Sequence, residues 1–227
     1  MSTTIEHFTS GGQTVPLEVF MPGTTTGRCP AVLVLHGSYG LLPPYDADIA
    51  SFAQALASRG IAAAVPHYME ATKTTPGIEV FSLIPRLRPA WQQVCSDALA
   101  AMAKDSRFDA ARLGLLGFSL GANLALSVAM DPPPGLQPKC VVDFFGPTQG
   151  LGPHFARLPP VLILHGSADR MVPPSDSAHL VAQLESAGKK KGRDYWFSSY
   201  AGEGHGFKGA AMAKSRDEAA EFIENTI

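Results

Sequence analysis

Gly117-Phe118-Ser119-Leu120-Gly121 places a serine between two glycines, each two positions away. A short apolar run, Leu113 to Phe118, leads in, and the helical run Leu120 to Met130 leads out. A sharp strand-to-helix turn of this kind holds a serine in a strained backbone conformation with its hydroxyl projecting above a sheet edge. Side chains at 117 and 121 would collide with the neighbouring strand and helix, so glycine is required there. The helix that follows aims its first amides and the positive end of its dipole at the site, where an oxyanion would develop. A serine acting only as a helix N-cap would explain neither glycine. The pattern therefore predicts Ser119 as a nucleophile.

A serine hydroxyl needs a positioned base. Of the seven histidines, His205 stands out, in the glycine-rich stretch Gly202 to Phe207 between the last predicted strand and the last helix. His36 and His165 each end an apolar strand before a glycine and are read as shaping turns. His7, His67, His154 and His179 have no comparable setting. The base in turn needs a carboxylate to hold its tautomer and stabilise the imidazolium. Asp169 lies just past the strand Val161 to His165, at the carboxyl end where open α/β sheets bind ligands. The chain order Ser–Asp–His fits this arrangement. Asp143, at the end of the preceding strand, is the rival, and Asp169 is favoured. Two N–H donors are needed for the oxyanion. Leu120, directly after the nucleophile, supplies one. The loop His36-Gly37-Ser38-Tyr39-Gly40 supplies the other, with the Ser38 amide the first choice and Tyr39 the second.

The elements that must position these groups alternate along the chain. Thr3–Ser10 and Thr14–Met21 read as an opening hairpin through Gly11-Gly12. Ala31–Leu35 is apolar on both faces, as a strand covered by helices on two sides must be. Residues 46–60 have helical periodicity and end at Gly60, a C-cap. Ile61–Val65 is the next strand. Residues 69–90, rich in threonine and proline, show neither period and are read as a long irregular excursion over a site. Helices are expected at 91–104, 120–130, 175–187 and 211–227, and strands at 113–118, 141–145, 161–165 and 194–200. This alternation predicts a mostly parallel sheet with right-handed crossovers, in one domain spanning 1–227.

The 227 residues are 45 % hydrophobic and 17 % charged, with a formal charge of −2. The near balance of charge excludes a basic nucleic-acid surface. No run of apolar residues is long enough to span a membrane, and the first residues lack the pattern of a secretory signal. Cys29, Cys95 and Cys140 form no metal or disulfide pattern and are read as buried thiols in a reducing compartment, which makes the protein cytoplasmic; Cys29 is the one expected nearest the surface. The basic stretch Lys189 to Arg193 is read as a solvated loop. No metal or organic cofactor is expected, because no spacing such as HExxH occurs.

In order and spacing, HGSYG, GFSLG, DFFGP, HGSADRMVP and GEGHGF resemble the α/β-hydrolase superfamily, and within it the dienelactone hydrolase family. The resemblance runs from about Thr3 to the carboxyl end. It implies a three-layer sandwich built on an eight-stranded, mostly parallel sheet, and hydrolysis of small esters or lactones through an acyl-serine. The best-known members of that family carry a cysteine where this chain has Ser119, and a glutamate in the oxyanion loop where this chain has His36-Gly37-Ser38. They also bind a substrate carboxylate through arginines. Arg86, Arg88 and Arg170 lie near the site in the predicted topology, but none sits in a matching motif. A serine carboxylesterase on this frame is the expectation. The short connection between Gly146 and Val161 leaves no room for a cap domain, so the substrate is expected to be small and soluble. Tyr39, Leu41, Leu42, Tyr68, Phe145, Met171 and Phe207 flank the predicted loops as a candidate apolar lining. A thioesterase or peptidase using the same groups is the alternative, since acyl-transfer machinery is shared. A non-catalytic binding module on this fold is a third.

Overall fold

The computed structural model describes residues 1–23 and 27–227. The strands are β1 (Ser2–Ser10), β2 (Gln13–Met21), β3 (Cys29–Leu35), β4 (Ala62–Pro66), β5 (Phe108–Phe118), β6 (Val141–Phe144), β7 (Val161–Gly166) and β8 (Tyr195–Tyr200). They form one eight-stranded sheet in the order β1-β2-β4-β3-β5-β6-β7-β8. Among the described residues only β2 runs against the rest, pairing antiparallel with both β1 and β4. The helices are α1 (Tyr45–Ser58), α2 (Val80–Lys104), α3 (Leu120–Met130), α4 (Ser175–Ser186) and α5 (Gly209–Glu224).

Both faces of the central strands are buried, which explains their unbroken apolar runs. In β3, Ala31, Leu33 and Leu35 join a core with Trp91, Leu99 and Leu124 of α2 and α3, while Val32 and Val34 join a second core with Phe52 and Ile223 of α1 and α5. The sheet is thus the middle of three layers. The connection from β6 to β7 carries only a short 3-10 turn, Phe155–Arg157, and no cap.

The region 69–90 departs from expectation. A 3-10 turn at Glu70–Thr72 is followed by a helix that starts at Val80 and continues unbroken past Trp91, with Pro85 and Pro89 inside it. The prolines mask a helical period: Val80, Leu83, Ile84, Leu87, Trp91, Val94 and Cys95 all face the core. Each proline lacks an N–H, leaving the carbonyl four residues earlier without its usual donor. Both are exposed, so that cost falls where water substitutes. Burial of the apolar stripe outweighs the breaker. Cys29 is also buried, at 5 % exposure, and its thiol reaches the Arg107 carbonyl. All three cysteines are free. Among the described residues no helix is long and apolar enough to cross a membrane.

Candidate active site

Ser119 sits where β5 turns into α3, with φ +54° and ψ −119°. Such a backbone is strained for a residue with a Cβ. It is held by the Ser119 amide donating to the Phe144 carbonyl at 2.8 Å, and by the Ala122 and Asn123 amides donating back to the Ser119 carbonyl. The two glycines have separate steric reasons. A Cβ at Gly117 would overlap the backbone of Gly121 and Ala122, and one at Gly121 would overlap the carbonyls of Leu35 and His36. The first turn of α3 is thereby pressed against the end of β3, and the loop after β3 is pressed against the serine. Gly37 lies with its Cβ position 3.4 Å from the Ser119 Cβ.

Asp169 follows β7 and is 5 % exposed. Its Oδ1 accepts from the amides of Met171 (2.8 Å) and Val172 (3.0 Å). Its Oδ2 accepts from Nδ1 of His205 at 2.8 Å, and the opposite ring nitrogen, Nε2, lies 3.0 Å from Ser119 Oγ. A carboxylate facing Nδ1 fixes the proton there and leaves Nε2 free to take the serine proton. Burial pulls the His205 pKa below its ordinary value, opposed by the bond and charge of Asp169. An imidazole so tuned is unprotonated and ready as a base near neutral pH. The three residues singled out from spacing therefore meet at one sheet edge.

The His205 loop is stitched to the acid loop. The Ser167 amide donates to the Tyr200 carbonyl, the Ala168 amide to the Glu203 carbonyl, and the Gly202 amide to Ser167 Oγ, each at 2.9 Å. Gly166 permits this approach, since a Cβ there would overlap the carbonyls of Glu203 and Gly204. His165 lies behind the acid. Its Nε2 faces the Val172 carbonyl at 2.9 Å and so carries the proton, while Nδ1 accepts from Ser177 Oγ at 2.6 Å. The same Nε2 is 3.3 Å from Asp169 Oδ2. His165 is thus a buried support for the carboxylate as well as a turn residue.

Asp143 does not reach His205. It is fully buried, and its Oδ1 accepts from the Gly146 amide at 2.8 Å. Burial pushes its pKa up to about 7, the behaviour of a carboxyl deprived of water. Its task is to close the turn after β6, where Phe145 leaves the strand at φ +45°.

On the oxyanion side, Leu120 opens α3, where amides have no intrahelical acceptor. His36 is clamped by three contacts: Nδ1 to the Gly37 carbonyl (2.9 Å), a stacked Tyr68 ring (centroids 4.2 Å apart), and the Tyr68 hydroxyl donating to the His36 carbonyl (2.8 Å). Burial pulls the His36 pKa down to about 4, so the ring is neutral and the Ser38 loop is held without a charge.

Ser119 stands between two hollows. One, of about 130 Å³, is walled by aromatic and aliphatic side chains including Phe52, Phe118, Phe144, Phe145 and Phe207. The other, of about 550 Å³, runs along α2 past Ile84, Arg88 and Asn123. Of the residues expected as lining, Tyr39, Phe145, Phe207 and Met171 are found there. Leu41 and Leu42 instead line a separate hollow with His67 and Glu70, and Tyr68 is wholly buried beneath His36. Ile49 and Phe52 of α1 also line the smaller hollow; in sequence a helical apolar stripe reads as core, and only the cleft above it makes these two a wall. Of the three arginines, Arg86 and Arg170 are exposed and line neither hollow. Arg88 does line the larger one, donating through Nε to Asn123 Oδ1 at 2.6 Å and also bonding Ser127 Oγ. Among the described residues no cluster of His, Cys, Asp and Glu is suited to a metal ion.

The sequence matches the profile of the Dienelactone hydrolase family over residues 17–225. The chain belongs to the dienelactone hydrolase family. A dienelactone hydrolase-like promiscuous phosphotriesterase from metagenomic libraries superposes with a TM-score of 0.83 at 19 % identity, covering 99 % of this chain and 98 % of that one. A puromycin-hydrolyzing peptidase from Mycobacterium tuberculosis gives a TM-score of 0.75 at 20 % identity, covering 99 % of this chain and 39 % of that one. The Pyrococcus horikoshii acylaminoacyl peptidase gives 0.78 at 15 % identity, covering 100 % and 42 %. At these identities the likeness is one of fold. No curated protein matches in sequence.

Proposed function

We propose that this hydrolase cleaves small carboxylic esters or lactones through an acyl-serine intermediate. The observation that carries the reading is the relay Ser119 Oγ–His205 Nε2 at 3.0 Å and His205 Nδ1–Asp169 Oδ2 at 2.8 Å. Ser119 Oγ attacks the carbonyl carbon as its proton passes to Nε2 of His205. Asp169 stabilises the imidazolium that results. The carbonyl oxygen, now an oxyanion, is met by the amides of Leu120 and Ser38. Collapse of this intermediate breaks the ester bond, and the imidazolium protonates the leaving oxygen. A water molecule, deprotonated by the same imidazole, then releases the acid and restores Ser119.

An open cleft without a cap, and a surface without excess positive charge, favour a small free molecule as the partner. Three free, buried cysteines fit a reducing, cytoplasmic setting. Thioesters and peptides use the same relay, and parallel rates on ester, thioester and peptide substrates rank them. The test of the reading itself is covalent. A fluorophosphonate probe is expected to label Ser119 and not the S119A variant, and S119A is expected to lose turnover of p-nitrophenyl acetate by about a million-fold. Unlabelled wild-type protein would overturn it.

A further inference from the structure

The two hollows beside Ser119 differ in size, in lining and in their relation to the base. The smaller, of about 130 Å³, has walls of Phe52, Phe118, Phe144, Phe145, Phe207 and Ile49. A dry cavity of about 150 Å³ lined by such side chains accepts one benzene ring. The walls are firm: Phe52 and Phe144 are almost wholly buried, and the rings brace one another edge to face, Phe52 on Phe144 at 5.1 Å and Phe145 on Phe207 at 5.5 Å. Edge-to-face geometry is also how an inserted aryl ring would meet them. His205 lines this hollow and not the larger one, whereas Ser119 lines both. A leaving oxygen must come within hydrogen-bond reach of His205 Nε2 to be protonated. The alcohol half of the substrate is therefore the half on the aromatic side, and the acyl half extends into the wider cleft along α2.

Resting on the acyl-serine reading above, we propose that the small hollow is a leaving-group pocket that selects esters of phenyl-sized apolar alcohols. It fits a single ring, rejects fused rings by volume, and, with the Asp48 carboxylate in its lining, repels an anionic alcohol.

The test compares acetates whose alcohols have similar acidity, so that chemistry does not mask binding: ethyl, benzyl, octyl and 2-naphthylmethyl acetate. Ethyl phenylacetate serves as the reversed ester. The expected result is kcat/KM for benzyl acetate at least about tenfold above ethyl, octyl and naphthylmethyl acetate, and above ethyl phenylacetate. Met212→Trp, at the half-buried rim, is expected to erase the benzyl preference, and Ile49→Phe, deeper in, to do the same. Labelling of Ser119 by fluorophosphonate shows that each variant is folded. A labelled wild-type enzyme with equal rates on benzyl and ethyl acetate would overturn the pocket assignment alone, as would a preference for ethyl phenylacetate. Absence of labelling and of turnover would overturn the acyl-serine reading and the pocket with it.

Discussion

Phe145 leaves β6 at φ +45° and sets its ring against the imidazole of His205, centroids 4.7 Å apart and planes 61° to one another. A left-handed phenylalanine is costly. The Phe145 amide donating to Leu164 and the Gly146 amide donating to Asp143 hold it in place. The strained residue thus forms a wall for the His205 imidazole.

Truncation by Phe145→Ala is expected to lower kcat by about ten- to a hundredfold, since a base displaced by an ångström loses about that much. Stability should fall by about 3 kcal/mol for the lost buried ring. Denaturant melts and single-substrate kinetics read both, and an unchanged kcat would show that the Phe145 ring does not position His205.

The pH profile follows from the burial of His205. Its pKa is lowered in the folded protein, and the base must be unprotonated. Ester hydrolysis is expected to rise with pH on the acid side and reach half its plateau below the ordinary histidine value of about 6.5. A profile of kcat/KM from pH 4 to pH 9 checks this; a midpoint above that value would contradict it.

Asp169→Asn keeps the shape of the acid but loses its charge and its hold on the tautomer. Turnover should drop by about 10⁴-fold. The amides of Met171 and Val172 still meet an oxygen, so the fold should survive; circular dichroism and a thermal melt beside the rates separate loss of function from loss of structure.

Asp143→Asn tests a stability effect with a definite sign. Burial raises the Asp143 pKa to about 7, above its value of about 3.9 in an unfolded chain. The stability that the neutral form contributes is complete below pH 4 and is lost as pH climbs through 7. Asparagine stays neutral and still accepts from the Gly146 amide. The melting temperature of the variant relative to the parent should therefore rise between pH 4 and pH 8. A flat difference would show that Asp143 does not titrate in that window.

Gly121→Ala should cost at least about 3 kcal/mol, because the added methyl meets backbone carbonyls of β3 that cannot swing aside. Soluble yield and a urea midpoint measure it.

The strand–helix alternation, the serine elbow and the order Ser119, Asp169, His205 are legible along the chain, because each is written in local pattern: apolar runs, paired glycines, a histidine among glycines. Three-dimensional packing settles the rest. It showed that α2 runs through Pro85 and Pro89, because a continuous apolar face outweighs breakers that stand in water. It turned Asp143 away from His205, because the register of β6 points that carboxyl into the core. It gave His165 a place behind Asp169 and drew Ile49 and Phe52 into a pocket wall, while sending Leu41 and Leu42 elsewhere. Those relations join residues far apart in the chain, and only packing across the sheet sets which of them touch.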